Sequence, residues 1–65
     1  MQSDQEIFEQ FVSFVGRDIE VGVRSTGERV SGKVENAMFD SFLLHVKGQN
    51  RVIFFRDLLF VNAVV

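Results

Sequence analysis

The side chains able to do chemistry in this chain are few. Among 65 residues there is no Cys and one His, His45. A nucleophile needs a general base and a group that orients the base, and a lone His without Cys does not make that set. Without thiolates there is neither a disulfide framework nor a thiolate zinc site. Glu6 and Glu9 are paired carboxylates, but they lie far in sequence from any loop. No two glycines have the spacing of a phosphate-binding or dinucleotide loop. These residues indicate no catalytic group, no metal and no cofactor, so the expected chemistry is binding. Lys33, Lys47 and Arg51 read most simply as solubilising charges on strands and turns. His45, between Leu44 and Val46 on an exposed face, reads as an ordinary surface residue.

The elements that would position any site follow from the apolar periodicity. Ser3-Asp4-Gln5-Glu6 fits a capping box. Ile7, Phe8, Phe11, Val12, Phe14 and Val15 then recur at helical spacing on one face. Gly16 is a natural stop, so the spacing predicts a helix over 3–15. From there the period becomes two, which predicts strands. Ile19, Val21 and Val23 alternate with polar or small residues, as do Val30, Gly32 and Val34 after a turn at 25–28. Gly32 inside its strand predicts a sharp bend or a close backbone approach. A break within 36–41 precedes a third strand over 42–47. Lys47-Gly48-Gln49-Asn50 is the next turn, followed by strands over 51–55 and 58–65 joined at Arg56-Asp57. The expected fold is mostly β: an N-terminal helix, then a five-stranded, strongly bent antiparallel sheet closing toward a barrel over 17–65, all in one domain, 1–65.

Composition adds a constraint on assembly. Val, Ile, Leu and Phe make up 26 of the 65 residues. A core this small cannot hide so many large apolar side chains, since a domain of this size buries only about 60% of its unfolded surface. The last two strands are apolar on both faces, Val52 and Phe54 against Ile53 and Phe55, then Leu58 and Phe60 against Leu59 and Val61. A strand apolar on both sides is expected to be covered on both sides, here by the helix or by another copy. Oligomerisation is the expected outcome.

Charge excludes other classes. The net charge is −2 and the pI about 5.2, unlike a protein that coats DNA by charge alone. Residues 1–20 carry −4, residues 21–40 balance, and residues 41–65 carry +2, so an acidic helix precedes a mildly basic second half. The longest apolar run is four residues, against about 18 for a membrane span. The acidic, polar start is unlike a signal peptide. A soluble, cytoplasmic protein is expected.

Helix followed by five strands, with particular residues in order, resembles the Sm-like (LSm/Hfq) family. Thr26-Gly27 and then Val30-Ser31-Gly32-Lys33-Val34 is similar to the family's second strand, with glycine at its bend. Phe39-Asp40-Ser41-Phe42-Leu43-Leu44 resembles the Asp-x-aromatic-apolar stretch of the first Sm motif. Val52-Ile53-Phe54-Phe55-Arg56 takes the place of the second. Gln2-Ser3 and Gln5-Glu6-x-Phe8 are similar to the Hfq entry into its helix. Three departures stand beside the likeness. The interval from Gly32 to Asp40 is two residues longer than usual. No Asn follows Phe42, and Arg56-Asp57 replaces the Arg-Gly of Sm chains and the Lys-His of Hfq.

The resemblance implies a homo-oligomeric ring of about five to seven copies, in which the fifth strand of one subunit pairs with the fourth of the next. It implies binding of single-stranded RNA near the pore, U-rich RNA among the candidates, as a chaperone or scaffold. Val52, Phe54, Phe55, Leu59, Phe60 and Val61 are the expected interface residues. Phe42 would stack on a base; the alternative is a core Phe, because Phe42, Leu44 and Val46 alternate on one face. Arg56 would reach a phosphate or base edge, against an ion pair with Asp57 or Asp40. Asp40 closes its own turn or orients Arg56. Ser41 and Gln5 could bond to a base edge or simply be solvated. The competing function is a protein-interaction module of the same architecture, favoured by the acidic helix.

Overall fold

The computed structural model describes residues 4–64, Asp4 by its backbone alone. The proposed cap at Ser3 lies outside the described residues. Helix α1 spans Asp4–Phe14 and is followed by β1 (Asp18–Val23), β2 (Arg29–Ala37), β3 (Ser41–Val46) and β4 (Gln49–Phe54). A 3₁₀ turn, Phe55–Asp57, then leads into β5 (Leu58–Ala63). The strands form one antiparallel sheet in the order β4-β3-β2-β1-β5. Three consecutive hairpins build four of the strands. The fifth crosses over to pair with β1, leaving β4 and β5 as the two edges.

Local chemistry accounts for these elements and for their differences from expectation. The helix ends at Phe14, and Val15 instead makes an isolated parallel bridge with Val34. Gly16, with φ 85°, donates its N–H to the Val34 carbonyl at 2.8 Å and so seats the helix C-terminus on β2. The β3–β4 turn is tighter than the four residues expected. Lys47 and Gly48 both adopt positive φ, 49° and 80°, the backbone that closes a hairpin in two residues with the right twist. Gln49 and Asn50 therefore begin β4. Gly32 is where two strands approach closely: a Cβ there would collide with the backbone carbonyl of His45 on β3. One residue of the long interval from Gly32 to Asp40 is taken up inside β2. Pairing with β3 shifts between Val34 and Asn36, leaving Glu35 as the extra residue of a bulge.

The core lies between α1 and the concave side of the sheet. Ile19, Val21, Val30, Val34, Phe42, Leu44 and Ile53 project into it from the strands. From the helix Phe11 enters, 1% exposed, with its ring 4.2 Å from that of Phe42 and 5.1 Å from that of Phe55. The helix does not bury all of its apolar residues: Val12 is exposed, as is Val15 just past the helix end. Nor are the edge strands covered on both sides within one chain. Val52 and Phe54 on β4 and Leu59 on β5 are 53%, 45% and 57% exposed. Phe55, expected in the fourth strand and at an interface, is instead the first residue of the 3₁₀ turn and buried: it keeps the inward phase of Ile53 and lays its ring beside Phe11 under the helix.

Candidate nucleic-acid interface

At one end of the sheet, the β2–β3 turn lies against the end of β4. Ser41 is paired in register with Phe54, and the Phe55 N–H donates to the Asp40 carbonyl at 3.0 Å. Asp40 and Arg56 are therefore neighbours across this seam, although 16 residues separate them in sequence. The Arg56 guanidinium is not paired with either acid. It lies over the Phe54 ring, 5.8 Å from the centroid, a cation–π contact that leaves its donors directed to solvent.

Asp57, its chain neighbour, is engaged elsewhere. Its carboxylate accepts from the Ser25 N–H at 3.0 Å and the Ser25 hydroxyl at 2.8 Å, and its carbonyl accepts from the Arg24 N–H. Those bonds tie the β1–β2 turn to the joint before β5.

Two expected RNA contacts are corrected here. Phe42 is fully buried, its ring stacked on Phe11 at 4.2 Å and 6.2 Å from Phe55, so no face of it is open to a base. The inward alternation of β3 decides this, placing Phe42 and Leu44 on the core side together. Ser41 is 3% exposed and its hydroxyl donates to the Asp40 carboxylate at 3.1 Å, which leaves it no free reach to a base edge. Asp40 itself is exposed, and Gln5 is exposed on the first turn of α1.

The aromatic surface at this end belongs to a residue the sequence reading quoted but did not single out. Phe39 is 74% exposed, with its ring 6.5 Å from that of Phe8 on α1. Its one available signal was phase. Phe39 stands out of step with the inward set Phe42 and Leu44, next to a lengthened strand. Gln5 lies three residues before Phe8 and so on the same side of the helix.

A second grouping with no linear signature lies where the first half of β2 meets the β3–β4 turn. Arg29 and Ser31 from the start of β2, Lys47 from the β3–β4 turn and Arg51 from β4 border an open groove of about 340 Å³. Val30 and Val46 also line it, and Glu28 stands at its edge, 3.9 Å from Arg51. The reading of Lys47 and Arg51 as scattered solubilising charges missed this grouping, which exists only because β2, β3 and β4 are adjacent.

His45 is exposed, its Nδ1 2.8 Å from the Asn50 side-chain oxygen on the next strand. Among the described residues no group of three or more His, Asp or Glu could hold a metal ion, and no helix is long and apolar enough to cross a membrane.

The expected interface residues divide by position. Val52, Phe54 and Leu59 are exposed along the two sheet edges and Val61 is half-buried. Phe60 packs within the chain, its ring filling the space over Gly22 where a Cβ would otherwise be, with Arg29 5.5 Å above it. Between α1 and β5 a second groove, about 230 Å³, is lined by Ile7, Phe11, Phe55 and Leu58 to Val61, with Gln10 at its edge.

No family model matches the chain, and no curated protein sequence does. A solved structure does: the crystal structure of Hfq, described as a pleiotropic translational regulator, superimposes with a TM-score of 0.69. The likeness covers 89% of this chain and 93% of that one at 16% sequence identity. With helix, strand order and hairpin sequence in place, the architecture is the Sm-like fold, the fold of Hfq.

Proposed function

We propose that the chain assembles into a homo-oligomeric ring that binds single-stranded RNA as a chaperone or scaffold, in a cytoplasmic setting and without catalysis. The observation that carries the ring is the pair of open apolar edges. β4 presents Val52 and Phe54, and β5 presents Leu59 beside the groove of about 230 Å³. Unpaired strand edges with exposed apolar side chains invite uncontrolled pairing. Joining β4 of one copy to β5 of the next pairs both edges, and the repeated head-to-tail contact closes when its rotation divides a full turn. The exposed side chains of β4 then have the groove beside β5 to enter.

RNA binding is supported by the likeness of fold to a translational regulator and by the seam at Asp40 and Arg56. Arg56 supplies donors for a phosphate or base edge, held by its contact with the Phe54 ring. Phe39 takes the stacking role that Phe42 cannot, a contact worth about 1–3 kcal/mol per base. Gln5 offers an amide on the same side. Each site is weak alone, and repetition around a ring multiplies it through effective concentration. The exposed Val12 and Val15 beside acidic helix residues favour a second reading, in which the ring presents this face to a protein partner.

Native mass spectrometry with and without a short oligouridylate tests the proposal. A closed oligomer taking up RNA in fixed ratio is expected. Val52→Glu with Phe54→Glu should reduce the assembly to single subunits, and Phe39→Ala with Arg56→Ala should abolish RNA uptake in an intact ring. A wild-type monomer would refute the ring. Unchanged RNA affinity in the second variant would refute the site.

A further inference from the structure

The three residues that join β4 to β5 are held from outside more than by their own turn. The 3₁₀ turn itself supplies the bond from the Leu58 N–H to the Phe55 carbonyl, a geometry poorer than that of an α-helix. Regular pairing does not secure the joint either. The β1–β5 ladder slips where β5 begins, with Gly22 opposite Phe60 but Val23 opposite Leu58. Each end of the joint is instead clamped to a different turn. At one end the Phe55 N–H donates to the Asp40 carbonyl at 3.0 Å. At the other, the Asp57 carbonyl accepts from the Arg24 N–H at 2.6 Å. The two Asp57 carboxylate oxygens accept from the Ser25 N–H at 3.0 Å and the Ser25 hydroxyl at 2.8 Å. Arg56 stands between the clamps, exposed, over the ring of Phe54.

We propose that Asp57 and Ser25 are positioning residues for Arg56: their latch fixes the arch that carries it, and Asp57 itself does not touch the ligand. With both carboxylate oxygens taken by Ser25, Asp57 does not close an ion pair with the guanidinium beside it. The donors of Arg56 stay available. Releasing one clamp frees the arch, and its backbone must then be ordered again each time a ligand binds. Charge and position predict opposite signs for Asp57. As a charge, a carboxylate one residue from Arg56 opposes an anionic ligand, so neutralising it should strengthen binding. As a latch, the same change should weaken binding. This inference rests on Arg56 as an RNA contact for the affinity measurements alone; the hold of the latch on Arg56 belongs to the free protein.

Fluorescence anisotropy with a short oligouridylate at one salt concentration reads the affinity. Asp57→Asn is isosteric and removes the charge with one acceptor, while Ser25→Ala removes the hydroxyl and changes no charge. Both should weaken binding, Ser25→Ala by about two- to tenfold. Ser25→Thr, which keeps the hydroxyl, should bind as wild type. In an Arg56→Ala background the same substitutions should cost nothing further, since a positioning residue acts only through the group it positions. Proton NMR of the Arg56 side chain reads the arch without RNA. Signals displaced by the Phe54 ring in wild type should move toward those of an unstructured Arg in Asp57→Asn and Ser25→Ala, and stay in place in Ser25→Thr. Circular dichroism and native mass spectrometry confirm that each variant keeps the wild-type fold and assembly. Tighter or unchanged binding by Asp57→Asn overturns the inference, as does a loss that adds in full to that of Arg56→Ala. Should the wild-type protein bind no RNA, the reading of Arg56 as a ligand contact falls, and the NMR comparison alone decides. Arg56 signals indifferent to both substitutions then overturn the inference.

Discussion

Replacing Phe42 by Leu and by Ala distinguishes a core ring from a base-stacking one. The side chain has no exposed surface and its ring is 4.2 Å from Phe11, inclined at 18°, and 6.2 Å from Phe55. Truncating a buried Phe to Ala costs about 3–5 kcal/mol. A domain of this length is stable by about 3–10 kcal/mol in all, so the Ala variant should be largely unfolded at low protein concentration. Leu retains most of the apolar volume and loses the stacked contacts, for about 1–2 kcal/mol. With a urea slope near 1 kcal/mol/M for a small chain, the Leu midpoint should fall by about 1–2 M. Urea titration followed by far-ultraviolet circular dichroism reads this. Protein concentration must be fixed, because assembly adds stability by mass action. RNA affinity of the Leu variant, measured by fluorescence anisotropy where the protein is folded, should stay at the wild-type value. An unchanged urea midpoint with lost RNA binding would show that the ring faces the ligand and would refute the reasoning.

Two further substitutions probe how the strands are held. Gly32→Ala places a methyl group against the His45 carbonyl, backbone that cannot turn aside. Separating β2 from β3 there should cost about 2–3 kcal/mol and lower Tm by at least about 10 °C in a thermal melt. Asp57→Ala removes both bonds to Ser25. Since these lie near the surface, a loss of about 1–2 kcal/mol is expected, seen as faster hydrogen exchange at the Ser25 and Arg24 amides. Ser25→Ala, which spares the backbone bond, should lose less.

What the sequence determined by itself is local. The helical recurrence of Ile7, Phe8, Phe11 and Phe14, the glycine stop and the alternation from Ile19 onward are written in neighbouring residues. They give α1 and five strands with ends displaced by a residue or a few. Gly32 inside its strand signals a sharp bend or a close approach, and the structure shows the approach, to the His45 carbonyl. The turn at Lys47-Gly48 was placed correctly but drawn too long, because Lys47 gives no outward sign that it will adopt positive φ.

What only the tertiary structure decided is which distant residues meet, and which way a side chain faces beside an irregularity. Phe39 and Phe42 are both aromatic residues flanking one turn, and their composition does not rank them. The register of β3 sends Phe42 inward, and Phe39, in the turn before it, is left exposed. Phe55 has the pattern of a strand residue and shares the inward phase of Ile53; that the helix covers it, ring against Phe11, leaving nothing for an interface, is tertiary. The Asp57–Ser25 latch spans 32 residues, and the groove of Arg29, Lys47 and Arg51 needs three strands side by side. Pairing of β1 with β5, which leaves β4 and β5 as open edges, is likewise a property of the folded sheet. Periodicity is a statement about residues a few positions apart. Strand order, register and the site they compose are set by the competition among long-range pairings for one core, and that competition is resolved only when the whole chain has folded.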